Sequence, residues 1–133
     1  MISYTMVGTR DLHRSLRFYD PIFAEMGLDR CWRDGRSASW GVAADDSVPR
    51  FFTGCPFDGE QATVGNGTMT AFRMQVPAAV DRLHAIALEN GGSDEGAPGP
   101  RPQYGPDFYA AYVRDPDGNK LAFVCYWTPE PDC

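Results

Sequence analysis

The chain has 133 residues, 43% of them hydrophobic and 23% charged, with a formal net charge of −6. That length suits a single domain, and the acidic balance without any Lys/Arg cluster excludes a nucleic-acid binder, because a polyanion needs clustered cations. No two of the four cysteines (31, 55, 125 and 133) are spaced C-x-x-C, which excludes a zinc knuckle or thioredoxin-type motif.

The N-terminus "MISYTMVGTRDLHR" has no apolar run long enough for a signal peptide, and no segment approaches a membrane span. A cytoplasmic protein with reduced thiols is the expectation. In chain order, "SYTMVGT" (3–9) reads as a strand. Asp11 can then cap a helix to about Met26, with Leu12, Leu16, Tyr19, Phe23 and Met26 as its apolar stripe, Pro21 as an interruption and Gly27 as its stop. Asp34-Gly35 is a hairpin signal between "LDRCWR" and "RSASWGV", and "RFFT" (50–53) is a further short strand.

After the linker "GCPFDGEQATVGNG", "TMTAFRMQV" (68–76) is strand-like. "PAAVDRLHAIALEN" is a helix with Pro77 in its first turn, Val80, Leu83 and Ala87 as its stripe, and Gly91 beyond its end. A Gly/Pro-rich loop over 91–107 precedes a strand ending at Arg114. The turn Asp115-Pro116-Asp117-Gly118 leads into the last strand, "KLAFVC". Turn chemistry accounts for both aspartates.

The order of elements repeats. Tyr4 falls on Met69, Leu12 on Pro77, Phe18 on Leu83, Ile22 on Ala87 and Gly27 on Gly92, each pair 65 positions apart, with almost no identity. Two β-α-β-β-β copies are the economical interpretation. The expectation is an α+β fold of two βαβββ modules whose curved mixed sheets form a shared concave cavity. Module one covers about 1–64, module two about 65–128, and a short tail 129–133.

"VGTRDLHRSLRFYDPIFAEMGL" and "AAYVRDPDGNKLAFVC" resemble the vicinal oxygen chelate superfamily of glyoxalases, extradiol dioxygenases and bleomycin- or fosfomycin-resistance proteins. "GNGTMTAF" and "GGSDEGAPGPRPQYGPDFYAA" look like an uncharacterised glyoxalase-like subgroup, and the resemblance spans nearly the whole chain. It implies paired βαβββ modules and a divalent metal held from four strands. Carried over, the first-strand ligand matches Tyr4, the one opening module two matches Met69, and the carboxylate after the D-P-x-G turn matches Ala122. The remaining position falls within "RFFT", where no acid or histidine stands. A hard divalent ion wants oxygen or imidazole donors, and the only histidines, His13 and His84, lie on the expected helices. The expectation is no metal and no cofactor.

Period-2 alternation places Met6 with Tyr4, and Arg73 with Met69, on the inward faces. Trp40 and Phe51 or Phe52 are plausible walls, and the long loop can bring Gln103 and Tyr104 to the mouth. The candidate ligand-binding set is Tyr4, Met6, Trp40, Phe52, Met69, Arg73, Gln103, Tyr104 and Ala122, an apolar, aromatic cavity with few polar groups. An inward Arg73 needs either an acid of the protein or an anionic ligand. The expected function is metal-free binding of a small organic molecule, as in the drug-binding resistance proteins, in a homodimer whose acidic surface suits cationic drugs. The alternatives are a glyoxalase-type lyase, isomerase or dioxygenase acting on a small carbonyl or aromatic substrate, and a scaffold that engages a protein partner.

Overall fold

A computed structural model describes residues 1–128; the tail 129–133, with Cys133, lies outside the described residues. The elements run β1 (Tyr4–Gly8), α1 (Leu12–Glu25), β2 (Asp29–Arg33), β3 (Ser37–Gly41), β4 (Arg50–Gly54), β5 (Thr70–Arg73), α2 (Pro77–Glu89), β6 (Ser93–Pro100), β7 (Phe108–Arg114) and β8 (Lys120–Tyr126). They build an α+β fold of two modules, each a mixed four-stranded sheet with one helix, in the orders β1-β4-β3-β2 and β5-β8-β7-β6. In both, the first strand pairs in parallel with the last, and the remaining pairs are antiparallel. Neither helix is long and apolar enough to cross a membrane.

Asp11 caps α1 by accepting from the Arg14 amide at 3.1 Å, and Gly27, at φ 75°, ends it. The helix runs through Pro21 without a break. It buries more than the expected stripe: Phe18 and Ile22 are fully buried beside Leu16, Tyr19 and Phe23. The reason is its position between the modules. Phe23 stacks on Trp40 of β3 (centroids 5.1 Å apart) and meets Phe72 of β5 edge-on at 5.6 Å. Side chains from both sheets therefore share a single aromatic core around α1 and α2.

The stretch expected to be loop contains β6, whose sequence SDEGAPGP reads against a strand. β6 is an edge strand, so its prolines remove no hydrogen bond from a second neighbour, and register shifts at Gly96 and Gly99 absorb the irregularity. Gly92, between α2 and β6, has no room for a side chain: a Cβ there would lie 2.8 Å from the Ala87 carbonyl oxygen and from the Phe18 ring.

The β7–β8 turn does more than close a hairpin. Asp115, 3% exposed, accepts the Tyr19 hydroxyl at 2.5 Å and three bonds at 2.9 Å from the Asp117 amide and the amide and side chain of Asn119. Asp117 accepts from the Thr9 hydroxyl (2.6 Å), the Arg10 amide (2.9 Å) and Arg14 (2.9 Å), and Asn119 donates to the Gly8 carbonyl at 2.9 Å. Turn chemistry alone therefore does not account for the two aspartates, because they also tie module two to the start of α1. Burial pushes the Tyr19 phenol well above its usual range, and the adjacent Asp115 carboxylate adds to the rise, so Tyr19 stays a donor.

Removing the Tyr19 hydroxyl leaves Asp115 short of one donor in a dry site. Tyr19→Phe is expected to lower unfolding stability by about 1.5–3 kcal/mol, measured in urea with an unchanged denaturant slope. A change within about 0.5 kcal/mol would mean that the module seam does not depend on this bond.

Candidate ligand cavity

Directly opposed residues on neighbouring strands share a face. Ala71 opposes Ala122 and Arg73 opposes Val124 across β5 and β8, while Tyr112 opposes Ala122, Ala110 opposes Val124 and Phe108 opposes Tyr126 across β7 and β8. The face turned away from α2 therefore has small residues in its middle and large ones around them. Tyr112 and Phe108 pack against Ala110, Ala122 and Val124.

Above them opens a cavity of about 610 Å³ walled by Tyr104, Phe108 and Tyr112 and further lined by Met69 and Gln103. Tyr104 meets Phe108 edge-on at 5.5 Å, and Phe108 meets Tyr126 in the same way at 5.5 Å. Arg101 and Lys120 also line the cavity, with the Arg101 guanidinium 5.6 Å and the Lys120 ammonium 5.5 Å from the centre of the Tyr112 ring. Arg101 is held by backbone carbonyls, donating to Ala97 at 2.7 Å and Gly99 at 2.9 Å. Gly96 leaves space for both groups: a Cβ there would come within 3.0 Å of the Tyr112 ring and 3.2 Å of the guanidinium. The acid in this lining, Glu95, is already bridged by Arg114 at 2.9 Å.

The sequence-derived candidates separate into groups. Met69, Gln103 and Tyr104 line this cavity. Arg73 lies beyond it on the same face, its guanidinium 5.0 Å over the Tyr126 ring. Ala122 is wholly buried beneath that face and presents no surface to a ligand. Tyr4, Met6 and Phe52 sit on the outer face of the first sheet, with Tyr4 63% exposed and edge-on to Phe52 at 5.3 Å. Met6 and Phe52 line a separate cavity of about 510 Å³ beside the exposed Phe57. Trp40 corrects the expectation of a cavity wall: it is 2% exposed on the α1 side, and its indole donates to Asp20 at 2.9 Å. A large ring on β3 completes the core there instead of facing outward.

The cavity of about 610 Å³ thus belongs to the second module, and the seam between modules holds a smaller cleft of about 240 Å³ lined by Met6, Gly8, Met69 and Lys120. Arg101, Phe108, Tyr112 and Lys120 escaped the sequence reading. Lys120 was within reach by alternation from Ala122, and Tyr112 by counting back across the hairpin. Arg101 was not, because it lies just past β6, where bulges have already broken the strand period.

The positions from which a divalent ion would be held do not suit one. Met6 opposes Phe52 in module one as Ala71 opposes Ala122 in module two, so Phe52 is the counterpart of Ala122. The four positions are Tyr4, Phe52, Met69 and Ala122, with neither carboxylate nor imidazole among them. Among the described residues, no three His, Cys, Asp or Glu side chains group so as to hold a metal ion. His84 is engaged elsewhere, its Nε2 lying 2.9 Å from Asp94 Oδ1 and joining α2 to β6.

Solved structures with this architecture carry related descriptions. The chain is similar to a glyoxalase/bleomycin resistance protein from Albidiferax ferrireducens T118 at 35% identity and a TM-score of 0.81, over 97% of this chain and 99% of that one. A glyoxalase/bleomycin resistance protein/dioxygenase family enzyme from Burkholderia phytofirmans PsJN shares the fold at 22% identity and a TM-score of 0.73, over 94% and 98% of the two chains. Lactoylglutathione lyase from Agrobacterium tumefaciens shares it at 20% identity and a TM-score of 0.66, over 94% and 92%. No family model and no curated protein matches the sequence.

Protein exposed to excess Ni²⁺, Zn²⁺, Mn²⁺ or Fe²⁺ and then desalted is expected to retain far less than stoichiometric metal, with its thermal midpoint unmoved. One tightly held ion per chain, found by elemental analysis, would contradict the donor set derived above.

Proposed function

Because the chain belongs to the glyoxalase/bleomycin resistance protein family, we propose that it binds a small organic molecule on the outer face of its second module without using a metal. The observation that carries this proposal is the cavity of about 610 Å³ with three aromatic walls. Its size falls within the range of small-molecule sites, and flat apolar surfaces with few polar groups are the usual build of such sites. Apolar surface removed from water contributes about 25 cal/mol per Å², offset by the cost of immobilising the ligand. Tyr104 and Tyr112 add hydroxyls, and Gln103 an amide, to orient what the rings hold. The proposed setting is the cytoplasm, in keeping with Cys31, Cys55 and Cys125 as free thiols.

A homodimer is part of the proposal. Tyr4, Met6, Trp32 and Phe57 are each about half exposed or more on or beside module one, a concentration of large apolar surface that suits burial against a second copy. Light scattering behind size exclusion should give twice the chain mass at micromolar concentration; a monomer there would remove the dimer from the proposal.

A thermal-shift screen of aromatic compounds should yield stabilising ligands. Tyr112→Ala is expected to weaken their binding about tenfold, whereas Tyr4→Phe, outside the cavity, should leave it unchanged. Stabilisation that survives both Tyr112→Ala and Tyr104→Ala would place the ligand elsewhere.

A further inference from the structure

We propose that the occupant of this cavity is a planar organic anion, its carboxylate taken by Lys120 and Arg101 while its ring lies against the tyrosine and phenylalanine walls. The inference rests on the cavity being the binding site, and it adds the charge of the ligand.

The chain as a whole is acidic, at −6, yet this wall gathers positive charge. Arg101 and Lys120 converge on the single ring of Tyr112, and among the described residues neither forms a salt bridge. Like charges brought to one ring repel, and partial burial strengthens the repulsion. An arriving anion offsets it. Glu95 cannot serve both cations, because its carboxylate is bridged by Arg114. Arg101 is held by the β6 carbonyls, so part of the entropy of fixing a long side chain has been lost before the ligand arrives. Lys120 provides the mobile partner.

The same features disfavour a cation. Aromatic walls commonly attract cations through their ring faces, but Arg101 and Lys120 already stand over the Tyr112 ring and Arg73 over the Tyr126 ring. A cationic guest would meet repulsion where a neutral aromatic guest meets none. Local charge, and not the net charge of the chain, thus sets the sign of the ligand. The volume above Tyr112 suits a compound of one or two rings.

The test uses three probes of nearly one shape: 2-naphthoate, 2-naphthamide and 2-naphthylmethylammonium, titrated by calorimetry into the intact protein at low and at moderate salt. Naphthoate is expected to bind about tenfold more tightly than the amide, the ammonium most weakly, and the naphthoate preference should shrink as salt rises. Lys120→Met and Arg101→Met, which keep much of the aliphatic stem, should each reduce the preference while leaving amide binding in place. Equal binding of acid and amide, or tighter binding of the ammonium, would overturn the anion assignment; if that binding were lost in Tyr112→Ala, the cavity itself would stand. A naphthoate preference unchanged in both methionine variants would overturn the assignment too. No binding of any probe would overturn both the assignment and the cavity. The wild-type probe series needs no variant, so a misfolded mutant cannot obscure the result.

Discussion

The contact on which the arrangement depends is the docking of the Asp115–Asn119 turn onto the start of α1. Two buried carboxylates are costly unless saturated with donors. Asp115 has the Tyr19 hydroxyl, two backbone amides and the Asn119 side chain. Asp117 has Thr9, Arg10 and Arg14. Every donor that Asp117 accepts, and the hydroxyl on Asp115, comes from module one, while the carboxylates belong to module two. Neither module could satisfy these groups alone. Lys120 begins β8 immediately after this turn, so the contact that joins the modules also sets where one cation of the cavity stands.

Each sheet divides its labour by face. The inner faces supply Trp40, Phe51, Phe72 and Phe123 to a core that closes around Phe18, Tyr19 and Phe23 of α1. The outer face of module two is built differently, with alanines at 71, 110 and 122 in mid-strand and Tyr112 and Phe108 packed against Ala110, Ala122 and Val124. Small residues in mid-strand contribute little to a core but allow neighbouring rings to form a wall. Where relatives by resemblance would place ligands for an ion, this chain places Tyr4, Phe52, Met69 and Ala122, and Ala122 has become part of the support beneath Tyr112.

The fold was largely legible in the sequence because its signals are local and repeated. Asp11, Gly27, Pro77 and the Asp-Pro-Asp-Gly turn mark boundaries through backbone chemistry, and the repeated element order announces two modules. β6 was not legible: a Gly- and Pro-rich octapeptide has no strand propensity, and it pairs because β7 offers an open edge at the side of the sheet. Trp40 was misread as a wall because alternation distinguishes two faces of a strand without saying which is the core. The packing of Tyr19 and Phe23 against it decides that.

The sequence by itself determined the element order, the duplicated architecture and which residue types stand at the carried-over ligand positions, since each depends on residue type at a position or on spacing along the chain. Only the tertiary structure decided that the aromatic-walled cavity lies on module two, that Arg101 just past an irregular edge strand and Lys120 from the last strand meet at one tyrosine ring, and that the turn aspartates hold the modules together. Those outcomes depend on distances between residues far apart in the chain, set by strand register and by which face of each sheet the helices cover.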